Sequence, residues 1–90
     1  MQDEAREAII QTAERLHIQS FRHVPASACR FRARTLWADF NRRTGGKSGI
    51  VDPSKAAKAH FWTAVADYRQ ARFTEATEQV RMALTWEKES

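Results

Sequence analysis

The segment of this sequence nearest to a chemical motif is Gly46-Lys47-Ser48, which ends like a loop that cradles phosphate. The full loop needs a glycine at position 41, where Asn41 stands, and a strand running into it, where a helix is expected. The segment therefore reads as a turn whose Lys47 can still touch a phosphate. His17, His23, His60 and Cys29 are the strong metal ligands apart from carboxylates, and none is paired at the spacing of a zinc site. No nucleophile with its base, and no carboxylate pair, stands out. The chain is expected to be no enzyme and to need no metal or cofactor. Cys29 alternates with apolar neighbours and reads as a buried, inert thiol. As the only cysteine it admits no intrachain disulfide and suits a reducing, cytoplasmic setting. No apolar run reaches the length of a membrane span.

Charge is more informative. The 15 Lys and Arg outnumber the 11 Asp and Glu of this 90-residue chain, but unevenly. Residues 1–20 hold two basic and four acidic side chains, whereas residues 21–47 hold seven basic ones against Asp39 alone. Residues 48–72 add four against two, and residues 73–90 return to two against four. The middle thus carries +8 and the ends −4 together. A basic centre of this density is the footprint of a surface that meets polyanion. The plain alternative is a solvated basic face with no partner.

The elements that must position these charges follow from periodicity, within a single domain spanning residues 1–90. Ala5, Ile9, Thr12, Ala13 and Leu16 share one face of an expected helix over about 3–19, with Asp3, Glu4 and Glu7 in the first turn. Pro25 breaks the chain. The alternation Cys29-Arg30-Phe31-Arg32-Ala33 then predicts a short strand that puts Arg30, Arg32 and Arg34 on one side. A helix over about 35–43 carries Leu36, Trp37 and Phe40, and Gly45-Gly46 ends it, leaving Arg42, Arg43 and Lys47 clustered there. Asp52 as N-cap and Pro53 at the first helical position open a third helix reaching about residue 70. Its one face is apolar. The opposite face combines Lys55, Lys58, Ala59, Trp62, Thr63, Ala66 and Arg69 without an acid, and reads as a recognition helix. Trp62 itself fits either a base-contacting residue or a core side chain. Val80, Met82, Leu84 and Trp86 alternate as in a strand, with Phe73 and Glu75 in its hairpin partner; Phe73, Ala76, Val80 and Leu84 equally fit a helix.

The stretch Phe31-Arg32-Ala33-Arg34-Thr35-Leu36-Trp37-Ala38-Asp39-Phe40, then Gly45, then Phe61-Trp62-Thr63-Ala64-Val65, resembles the winged-helix domain at the C-terminal end of bacteriophage and plasmid primase–helicases. The resemblance covers roughly residues 21–86. It implies a mainly α fold with a small β-hairpin (α+β), in the order helix, strand, helix, helix, strand, strand. It also implies DNA binding within replication machinery, the hairpin serving as wing.

Two readings follow. In the first, the third helix enters the major groove with Lys55, Lys58, Trp62, Thr63 and Arg69 facing double-stranded DNA, while Arg30, Arg32, Arg34, Arg42, Arg43 and Lys47 hold phosphates. In the second, residues 73–86 form a fourth helix and the chain is a small adaptor or inhibitor whose basic face binds an acidic protein, with Trp62 as anchor. RNA in place of DNA is a weaker variant of the first, and helix content separates the two.

Overall fold

A computed structural model describes the backbone of residues 2–19, 21–44 and 53–89, and the side chains of these residues except 39–44. Four α-helices account for nearly all of it: α1 (Gln2–Arg15), α2 (Ala26–Thr44), α3 (Pro53–Arg69) and α4 (Phe73–Glu89). A single 3₁₀ turn, Phe21–His23, precedes α2. There is no strand among the described residues, so the α+β winged helix with a hairpin is corrected to an all-helical bundle. All three expected strands are helix. Residues 29–33 lie inside α2, where Arg and Ala are strong helix formers, and residues 73–86 lie inside α4. In α4 the buried residues are Ala76, Val80 and Ala83, the helical series, while Met82 of the strand series is exposed.

The third helix is the centre of the bundle. Ala56, Ala57, Ala59, Phe61, Trp62, Ala64, Val65 and Ala66 are all buried, and at 100° per residue they reach around its whole circumference. Helices α1, α2 and α4 each pack on it. The alanines are what permit this, since they let neighbouring backbones approach on several sides at once. Phe61 is fully buried and meets the rings of Phe21 and Trp62 edge to face at 5.6 and 5.2 Å. Leucine-sized side chains come from the flanking segments: Leu16, Ile18, Val24, Leu36 and Leu84 close over the core.

Two left-handed residues fix the chain reversals. After α1, His17 has φ 57° and the Ile18 N–H donates to the Ala13 carbonyl at 2.8 Å. After α3, Ala71 has φ 62° and the Arg72 N–H donates to the Asp67 carbonyl at 2.9 Å. Both are the Schellman closure, which satisfies carbonyls that a helix end leaves open. The first stops α1 earlier than expected and turns Ile18 onto the core. The second makes α3 and α4 an antiparallel hairpin with a short connection. Pro53 opens α3 as expected; Asp52, Gly45 and Gly46 lie outside the described residues. No described helix is long and apolar enough to cross a membrane.

An alanine held left-handed costs about 1–2 kcal/mol of local strain that glycine avoids. Ala71→Gly should therefore raise stability by about 0.5–1 kcal/mol net of glycine's unfolded-state entropy, or about 2–8 °C in Tm. Thermal melts followed by circular dichroism check this, and a lowered Tm would mean that residue 71 does not take that conformation in solution. The same spectra should show helix content above about 60%, well beyond a mixed domain.

Candidate functional site

Because residues 29–33 are helical, the arginines of α2 do not share one side. Cys29 and Ala33 point into the bundle, with Leu36 and Trp37 half-buried beside them. On the helical wheel Arg30 and Arg34 then fall on one flank, Arg32 on the other, and Phe31 with Thr35 on the outward crest. Phe31 is 66% exposed, a large apolar side chain on a crest between cations. The described side chains of α2 include no carboxylate.

Each flank borders a groove against α3. The first, of about 400 Å³, is polar and lined by Arg30, Arg34, Thr63, Asp67, Gln70 and Arg72 over a floor of Ala33 and Ala66. The second, of about 340 Å³, is largely apolar and lined by Phe31, Arg32, Thr35, Leu36, Lys58 and Trp62. There the Arg32 guanidinium lies 4.9 Å from the Trp62 ring centre, a cation–π contact that holds the charge over the shelf. No family model matches this chain, and no similar curated protein or solved structure was found.

The expected site residues separate accordingly. Arg30 and Arg34 line the polar groove, and Arg32 and Lys58 the apolar one. Thr63 borders the polar groove, but its hydroxyl donates to the Ala59 carbonyl at 2.8 Å. Trp62, only 6% exposed, is a core side chain. Arg69 donates from one amino group to the carbonyls of Phe21 and Arg22 at 3.2 and 3.0 Å, tying the 3₁₀ turn to α3. Lys55 is half-buried near the start of α3. The side chains of Arg42 and Arg43, and all of Lys47 in the Gly46-Lys47-Ser48 segment, lie outside the described residues. Of the α3 face assigned to the major groove, Ala59, Trp62 and Ala66 are buried, Lys55, Lys58 and Thr63 half-buried, and Arg69 exposed.

The grooves are also lined by Phe31, Thr35, Asp67, Gln70 and Arg72, which the sequence pattern does not single out. Phe31 was spent on the strand pattern, and Asp67 and Arg72 sit where a helix end meets a turn. Burial holds the Asp67 carboxyl above its ordinary range; Arg72 opposes that, Glu75 adds to it, and Arg30 opposes it. Cys29 is buried as expected, with its thiol pushed up by burial against the pull of Arg69 and Arg32, and its Sγ–H points to the Val24 carbonyl at 3.8 Å. His60 spans the interior edge, its Nδ1 2.7 Å from Gln79 Oε1 and its ring 4.8 Å from that of Trp37.

A carboxyl whose folded pKa is raised keeps its proton to higher pH than in the unfolded chain. Folding is then weakened as pH rises from the ordinary aspartate value through the raised one. Asp67→Asn should therefore melt higher than wild type at neutral pH, with the gap closing below about pH 3.5. Melts across that range decide it; a variant less stable at pH 7 would show that the Arg72 and Arg30 attractions outweigh burial.

Proposed function

We propose that this chain is a helical protein-binding module that holds an acidic partner segment across the outward face of α2. The observation that carries it is the exposed Phe31 on the crest of a helix flanked by Arg30, Arg32 and Arg34, above the shelf of Leu36 and Trp62. An apolar crest between cations suits a partner that combines carboxylates with an apolar anchor. Full burial of such a phenylalanine is worth about 2–3 kcal/mol, far more than one surface ion pair. Phosphodiester backbone rewards the arginines but gains little from the shelf. On the helix expected to read base edges, Ala59, Trp62 and Ala66 are buried, which leaves less of that face for a groove. Steering by the basic face speeds encounter, and the aromatic anchor sets the residence time.

The test is fluorescence anisotropy with labelled peptides built of Glu and Leu on one helical face, beside random single- and double-stranded DNA of similar charge. Peptide binding should weaken about tenfold in Phe31→Ala and about threefold in Arg32→Gln, with a shallow dependence on salt. DNA that binds tighter than peptide, steeply salt-dependent and indifferent to Phe31→Ala, would overturn the reading in favour of a nucleic-acid surface.

A further inference from the structure

The polar groove on the other flank of α2 has a chemistry of its own. Arg30 and Arg34 stand one turn apart on α2, about 6 Å along the axis. Arg72 joins them from the α3–α4 connection, where the Schellman closure at Ala71 and Asp67 fixes its backbone. Among the described residues none of these three guanidiniums is ion-paired. Ala33 and Ala66 end at Cβ, so the floor between the arginines stays open and the concavity holds about 400 Å³. Among the described residues Asp67 is the only carboxylate lining it, against the three arginines.

From this arrangement we propose that the groove is a phosphomonoester-binding site, with Arg30, Arg34 and Arg72 as a three-point clamp. A single carboxylate offers two coplanar oxygens and engages one guanidinium fork well. A terminal phosphate offers three oxygens in a tetrahedral array and a charge of about −1.5 to −2, matching three forks that arrive from two segments. A phosphodiester has one negative charge and two free oxygens, and leaves part of the clamp unsatisfied. Asp67 sets a threshold: its negative charge opposes any anion and must be outweighed, which favours the dianion. The groove lies on the opposite flank of α2 from the shelf of Phe31 and Trp62; it shares Arg30 and Arg34 with the peptide reading but neither Phe31 nor Arg32.

Phosphate on a protein side chain and phosphate on a small metabolite share this chemistry. The experiment is a heteronuclear NMR titration of the full chain at constant ionic strength, with inorganic phosphate, a phosphoserine peptide, the same peptide unphosphorylated, and dimethyl phosphate. Phosphate and phosphoserine should saturably shift the amides of Ala66, Gln70 and Arg72 and the Nε–H signals of Arg30, Arg34 and Arg72. Arg34→Gln and Arg72→Gln should each weaken binding about tenfold, and Asp67→Asn should tighten it about threefold. Phe31→Ala should leave it unchanged. Tighter binding of the phosphopeptide assigns the phosphate to a protein partner, and tighter binding of inorganic phosphate to a free metabolite; either supports the clamp. The proposal is overturned if dimethyl phosphate binds as well as the monoester, if Asp67→Asn does not tighten binding, or if the shifts fall outside the groove.

Discussion

The packing of α3 on all sides is the constraint from which the rest follows. A helix that lies at the centre of a small bundle can hold large side chains at only a few positions, because its neighbours must come close on every face. Here Ala56, Ala57, Ala59, Ala64 and Ala66 let the neighbours in, while Phe61, Trp62 and Val65 fill the interior. That division leaves α2 with little to bury. Cys29 and Ala33 are small, and the apolar cover on this side comes from half-buried Leu36 and Trp37. Among the described side chains of α2 the inward stripe is narrow, and Arg30, Phe31, Arg32, Arg34 and Thr35 stand exposed outside it.

The same packing explains why much of the sequence could be read and why two segments could not. α1 and α3 have long runs with a clear 3.6-residue period, and Pro53 marks a helix start by its missing N–H. Residues 29–33 are too short a window to tell period 2 from period 3.6. Cys29 and Ala33 are two strand repeats apart and also one helical turn apart, so both patterns place them together. In α4 the alternation of Val80, Met82, Leu84 and Trp86 is matched by the helical series Ala76, Val80, Ala83. Propensity favoured the helix, and tertiary burial against α3 and α1 agrees with it. Local alternation lost because it would have placed exposed Met82 in the core.

The candidate site was legible in its charges and illegible in its geometry. The central basic run was plain from composition. Which arginines act together depends wholly on whether 29–33 is extended or helical, since a strand groups Arg30, Arg32 and Arg34, and a helix sends Arg32 to the far flank. The acid-free face of α3 was read as a surface because Lys55, Lys58 and Trp62 fall on one side of a helical wheel. Its alanines were equally compatible with close helix contact, and the structure uses them that way. Trp62 reconciles the two ideas, since its ring is buried against Phe61 yet forms the floor under Arg32.

Splitting the cations between two grooves has a physical consequence that a uniform basic patch lacks. On the shelf, Arg32 is exposed, with the Trp62 ring beneath it and the apolar surface of Phe31 and Leu36 beside it. In the polar groove Arg30, Arg34 and Arg72 share a lining with Ala33 and Ala66, and Arg72 and Arg30 draw the Asp67 carboxyl toward its charged form. Removing Asp67 from water is unfavourable in itself, as its raised proton affinity records. The attraction of Arg72 and Arg30 offsets that cost only in part, so the carboxylate is a net burden on the fold in this hollow.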